Sequence, residues 1–180
     1  MRLKLVQAKA DGDLVCLERA DIEEGHALGY ILDIGPQFFL LKFVAEDIAF
    51  NGFQAMRIED VTKLEVPHTY ADFVERALEL RREVAPPQPQ IDLSSPSTLI
   101  ESASRSFPVI TIHREKADPD VCHIGRVIEV TSARVRLREI TASAEWEDEI
   151  FDYGTSEVTR VDFGGRYEEA LVLVGGSGLT

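Results

Sequence analysis

The sequence predicts a mainly β protein with short helices, folded as two small antiparallel barrels in tandem. Three observations predict it. Short runs of β-branched and aromatic residues recur along the chain, punctuated by glycine, proline and asparagine. A proline-rich stretch, Ala85-Pro86-Pro87-Gln88-Pro89-Gln90-Ile91-Asp92, divides the chain near its middle, and its missing backbone donors favour an extended spacer. The sequences on either side of that spacer also match. Gly29-Tyr30-Ile31-Leu32-Asp33-Ile34 aligns with Gly125-Arg126-Val127-Ile128-Glu129-Val130 at an offset of 96 residues. Asp60-Val61-Thr62-Lys63-Leu64-Glu65 aligns with Glu157-Val158-Thr159-Arg160-Val161-Asp162 at 97, and Tyr70 then falls on Tyr167. One indel separates the two offsets, and duplication is the simplest account.

In the first half, strands are expected at residues 3–8, 14–19, 27–34, 38–44, 53–58 and 62–66. In the second half they are expected at 109–114, 125–130, 135–140, 150–153 and 158–163. Short strands at this spacing suit a small, strongly bent barrel, because closing a sheet removes its exposed edges. Helices belong at the ends of the repeats. Thr69 can cap one running to about Val84, with Tyr70, Phe73, Val74, Ala77 and Leu78 along one face. Ser95-Pro96, with Thr98 and Glu101, starts a second that stops before Phe107-Pro108. A third covers 168–174. The expected units are a first barrel with its C-terminal helix at 1–84, a linker at 85–92, a helix plus second barrel at 93–175, and a flexible tail at 176–180.

A glycine early in the second strand and Asp/Glu-Val-Thr before the last resemble an Sm-like or SH3-like barrel. More narrowly, Asn51-Gly52-Phe53 followed by Arg57-Ile58-Glu59-Asp60-Val61-Thr62 resembles uncharacterised bacterial proteins with tandem barrels of this kind. Asp118-Pro119-Asp120, His123-Ile124-Gly125, Glu145-Trp146 and Phe163-Gly164-Gly165 with Tyr167 carry the same resemblance in the second half. It implies a fold and no activity. RNA-binding members of the wider Sm-like group use an Asp/Asn-bearing loop between the second and third strands. Here those loops read Gly35-Pro36-Gln37 and Thr131-Ser132-Ala133.

Charge narrows the function classes. The chain of 180 residues carries 19 basic and 32 acidic side chains, a formal charge of −13. Residues 1–85 hold 10 basic and 16 acidic groups and residues 86–180 hold 9 and 16, so neither half is a basic module. Nucleic-acid binders usually gain affinity by releasing counterions from phosphates with a basic patch, so bulk electrostatics oppose that function. No apolar run approaches the ~20 residues of a membrane span. The N-terminus alternates instead of forming a signal-peptide core. A cytoplasmic protein without membrane association is expected. Cys16 and Cys122 are too few for a disulfide framework, and Cys16 is expected to pack as a small hydrophobe.

No phosphate loop, zinc-protease helix or paired Cys-x-x-Cys occurs, so no enzyme and no cofactor are expected. Glu115, Asp118 and Asp120 crowd one loop, where a solvated turn outweighs a calcium site. His113, Cys122 and His123 would converge if their strands pair, but lack a fourth ligand. No metal is assigned. Arg134, Arg136 and Arg138 alternate along one strand face, able to grip phosphate or to pair with Glu129 and the Glu145–Glu149 acids. In the corresponding strand of the first half, Phe38 and Leu40 face one way and Phe39, Leu41 and Phe43 the other. Such a strand needs cover on both sides, from a helix, the second barrel or another subunit. Phe50, Phe53 and Trp146 would extend a sticky surface. The expected function is a non-enzymatic protein-interaction module, with a protein partner or a second copy of the chain as its occupant. The alternative is RNA binding through the Arg134/Arg136/Arg138 face.

Overall fold

The computed structural model describes residues 1–178, so Leu179 and Thr180 of the expected tail lie outside it. The first half runs α1 (Arg2–Asp11), β1 (Leu14–Glu18), β2 (Ala27–Ile34), β3 (Phe38–Val44), β4 (Phe50–Arg57), a 3₁₀ turn (Ile58–Asp60), β5 (Lys63–Glu65) and α2 (Ala71–Arg81). The second half runs α3 (Pro96–Ser106), β6 (Ile110–His113), β7 (Cys122–Val130), β8 (Arg134–Ile140), β9 (Trp146–Gly154), a 3₁₀ turn (Thr155–Glu157), β10 (Arg160–Phe163) and α4 (Arg166–Gly175). The order of elements is the same in both.

The ten strands among the described residues join one antiparallel sheet in the order β5-β1-β2-β3-β4-β10-β6-β7-β8-β9. This corrects the expectation of two closed barrels on either side of a spacer. The sheet is continuous and open, with β5 and β9 as its edges. The first half does not close on itself because β4 pairs with β10, in the other half, from Phe53–Phe163 to Met56–Arg160.

The registers of the two halves correspond in detail. β2 and β3 slip between Ile31 and Asp33, and β7 and β8 slip between Val127 and Glu129, at positions 96 apart. Val44 lies opposite Phe50 and Ile140 opposite Trp146, still at 96. Lys42 then faces Phe53, whereas Arg138 faces Ile150, so the offset becomes 97. The indel therefore lies inside β9, between Trp146 and Ile150. An added residue within a strand pair is absorbed as a bulge, which both β3–β4 and β8–β9 show.

The core explains the doubly apolar β3. Phe39 and Leu41 pack with Leu5 and Ala8 of α1 and with Val15 and Leu17 of β1. Phe38 and Leu40, on the opposite face, join a cluster with Leu99 and Ile100 of α3, Ile110, Val135, Val161 and Phe163. The second half is the cover. Ile91 and Leu93 pack into the same cluster, so the end of the proline-rich spacer is pinned rather than free.

Two local expectations fail for identifiable reasons. Residues 3–8 form α1 and not a strand: the Leu3/Leu5 alternation is only a few residues long, and the buried pair is Leu5 and Ala8, one helical turn apart. Gly12 ends that helix at φ 73°, donating its N–H to Ala8 O. Thr69 does not cap α2; its N–H and hydroxyl both donate to Glu65 Oε1. The Ser95 cap of α3 is present, with Ser95 Oγ accepting from the Thr98 N–H at 3.1 Å. Ser95→Ala should lower stability by about 1 kcal/mol in urea denaturation.

Candidate functional site

The β4–β10 junction is sealed by polar groups as well as by its ladder. Arg57 Nε donates to Val158 O at 2.7 Å, Arg57 Nη2 donates to Ser156 O, and the Arg57 N–H reaches Thr159 O at 3.2 Å. Beside it lies a buried charge cluster drawn from both halves. The Arg19 guanidinium, with 0% of its side chain exposed, donates from Nη2 to Glu115 Oε1 at 2.6 Å and from Nε to Glu23 Oε1 at 2.7 Å. Arg160 Nη1 reaches Glu23 Oε2 at 2.8 Å, and His113 Nε2 stands 3.0 Å from Asp162 Oδ2. Burial pushes the Glu115 and Asp162 carboxyls up. Arg19 and Thr159 at Glu115, and Arg160 and His113 at Asp162, more than offset that and hold both below the ordinary carboxylate range. The cluster is a lock between halves.

β5 and β9 are the sheet's unpaired edges. At the 97-residue offset, β9 corresponds to β4 and β5 to β10, the two strands that pair at the junction. Along β9, Glu147, Asp148, Glu149, Ile150 and Asp152 are exposed. On β5, Lys63 is exposed and its Nζ pairs with Glu18 at 2.6 Å. Charged groups along a short edge limit indiscriminate strand pairing.

The surface expected from Phe38, Leu40, Phe50, Phe53, Arg134, Arg136, Arg138 and Trp146 does not exist as one patch. Phe38, Leu40 and Phe53 are buried in the shared core, which corrects their placement on a sticky face. Phe50 is partly buried against Tyr30, with the Lys42 ammonium over its ring at 5.2 Å. Trp146 is half-buried, its Nε1–H donating to Gly175 O at 2.8 Å, and it joins Ile140 and Leu171 in a small cluster. The arginines do share a strand, and each has an intramolecular partner. Arg134 pairs with Asp152 at 2.9 Å and Arg136 with Glu129 at 3.1 Å. Arg138 Nε donates to Glu147 O at 3.0 Å, with the guanidinium over the Trp146 ring.

Much of the exposed apolar surface lies on helices instead, with Ile128 of β7 and Ile150 of β9 exposed as well. On α1 and α2, Leu3, Val6, Phe73 and Leu80 face solvent, and on α4 so do Leu173 and Val174. The buried face of α2 is Val74 with Leu78, so Tyr70 and Phe73 sit outside the face expected of them. The seven-residue spacing of Phe73 and Leu80 was the available signal for this second stripe.

The acidic loop does not gather into a ligand set: Glu115 belongs to the charge cluster and Asp118 pairs with Arg114. His113 and His123 are likewise held apart, against Asp162 and Glu139. Among the described residues, the mixed trio that converges is Cys16, Glu65 and His68, whose ligand atoms lie within 4.8 Å of one another. Among the described residues, no helix is long and apolar enough to cross a membrane. Comparison with protein-family models, curated proteins and solved structures finds no match to the chain.

Proposed function

We propose that the chain is a non-enzymatic protein-interaction module of two Sm-like units, and that it self-associates by adding β5 of one copy to β9 of the next. The supporting observation is the β4–β10 junction. The counterparts of those two strands are the ones left unpaired at the ends of the sheet. Carrying the register of the junction across the 97-residue offset sets Lys63 against Tyr153, Leu64 against Asp152, Glu65 against Phe151 and Val66 against Ile150. Each copy offers one edge of each kind. The pairing is therefore head-to-tail and stops only when a ring closes. The exposed apolar residues of α1, α2 and α4 add surface that association can cover.

The junction between copies is weaker than the one within the chain. Arg57, which seals the internal junction, corresponds to Gly154. The apolar pair Ala55–Val161 corresponds to Asp152–Leu64. Association should accordingly be reversible and concentration-dependent, and sedimentation velocity over a dilution series reads it. Ile150→Asp places a carboxylate against Val66 of the next copy while facing Arg138 within its own sheet. It should weaken association at least about tenfold, the equivalent of 1.4 kcal/mol. Thermal unfolding should stay unchanged, because Ile150 is 39% exposed. A parent chain that stays monomeric at every concentration, or a variant that associates as tightly as the parent, overturns the proposal.

A further inference from the structure

We propose that Cys16, Glu65 and His68 form a binding site for one divalent metal ion of borderline softness, with zinc as the type, completed by water. The trio is brought together by the first half's own topology. Cys16 and Glu65 are Cα partners in the β1–β5 pair, so their side chains leave the same face of the sheet. His68 follows Glu65 by three residues in the turn leading to α2, and its backbone N–H donates to Leu14 O at 2.8 Å. That bond fixes the turn on β1 and brings the imidazole back over the strand pair. The ring meets Tyr70 edge-on at 5.7 Å.

His68 provides a separate observation that points to a ligand. Its Nδ1 is buried and has no hydrogen-bond partner, although it lies 3.4 Å from Glu65 Oε1. A buried ring nitrogen left without a partner is costly, and coordination is one way to use it. Glu65 is oriented by the N–H and hydroxyl of Thr69 on Oε1, and its carboxylate has a second oxygen to offer.

The donor set selects the metal. Thiolate, imidazole and carboxylate together suit zinc, which takes tetrahedral sites with ligand atoms about 3.4–3.7 Å apart. Closing the trio from within 4.8 Å to that spacing needs side-chain shifts of about 1 Å. On binding, the Cys16 S–H bond breaks, its proton passes to solvent, and the sulfur lone pair forms the bond to the metal in place of one of its waters. The second half lacks the site. At the corresponding positions stand Thr111, Asp162 and Gly165, and Thr111 is engaged with Glu168 at 2.6 Å.

Cobalt(II) titrated into the full chain, stripped of metal and kept reduced, provides the test. A near-ultraviolet thiolate-to-cobalt charge-transfer band should saturate at one ion per chain and be displaced by zinc. Cys16→Ser should abolish the band, and Cys122→Ser should leave it intact. His68→Gln and Glu65→Gln should each weaken binding at least about tenfold. Zinc should raise the melting temperature of the parent and not that of Cys16→Ser, whose metal-free melting reports whether it folds. If Cys16→Ser does not fold, the band in His68→Gln decides. No band in the parent overturns the site, as does a band that survives Cys16→Ser or requires Cys122.

Discussion

Arg19→Ala lowers the stability of the whole chain by about 3–5 kcal/mol, read as a fall in the urea midpoint with an unchanged slope. The figure follows from what the substitution leaves behind. Glu115, with 5% of its side chain exposed, loses the guanidinium that faces both its oxygens. Thr159 still donates to it, but Arg160 stands 3.7 Å away and is shared with Glu23 and Asp162. A buried carboxylate deprived of its main counter-charge costs far more than a surface pair is worth. Arg19→Met combined with Glu115→Leu should recover most of the loss, because it removes the stranded charge with its partner. A single variant that loses less than about 1 kcal/mol shows that the cluster does not hold the halves together.

The same cluster sets the acid limit. Glu115 and Asp162 are both held below the usual carboxylate range in the folded chain. A depressed folded pKa contributes stability that is fully present above the unfolded value and is lost as pH falls through the folded one. Stability should therefore be level near neutrality and decline below about pH 4. Glu115→Gln should flatten part of that decline.

Gly125→Ala is the other large effect, at about 3 kcal/mol. A Cβ on Gly125 would lie 2.2 Å from Arg138 O, deep inside contact distance, and the obstacle is backbone within the β7–β8 pair. Relief requires the two strands to separate where their ladder is formed. Gly29→Ala should behave alike, since its Cβ meets Lys42 O at the same 2.2 Å in the β2–β3 pair. Gly154→Ala is the control. There the nearest atoms belong to the flexible Glu157 side chain at 3.3 Å, and the cost should stay under about 1 kcal/mol. Equal costs at Gly125 and Gly154 would refute the steric argument.

The strands were legible because β3 is an almost continuous apolar run and β8 alternates arginines with apolar residues, while Gly35-Pro36 and Ser132 mark the turns before them. Their doubly apolar member, β3, also announced that it needed two covers. Which cover it received was not legible, because the β4–β10 pair joins residues more than 100 positions apart and no local pattern records it. A separation of 96 positions hid the charge cluster in the same way: Glu115 reads as part of a solvated turn, and nothing local ties it to Arg19. Phe38 and Phe53 were misplaced for that reason as well. Cys16 and His68 lay beyond reach differently. Glu65-x-x-His68 is visible in the chain, but only the β1–β5 register brings a thiol to it.

Gly35 approaches the Leu93 backbone so closely that a Cβ would meet its carbonyl oxygen at 2.2 Å, and Leu93 itself is buried. The connecting stretch is thus anchored at its far end, and the halves behave as an obligate heterodimer sealed into one polypeptide. Their ratio is fixed at one to one, and their mutual effective concentration never dilutes. Under that arrangement each half can specialise without losing its mate: one retains a thiol and an imidazole where the other has threonine and glycine.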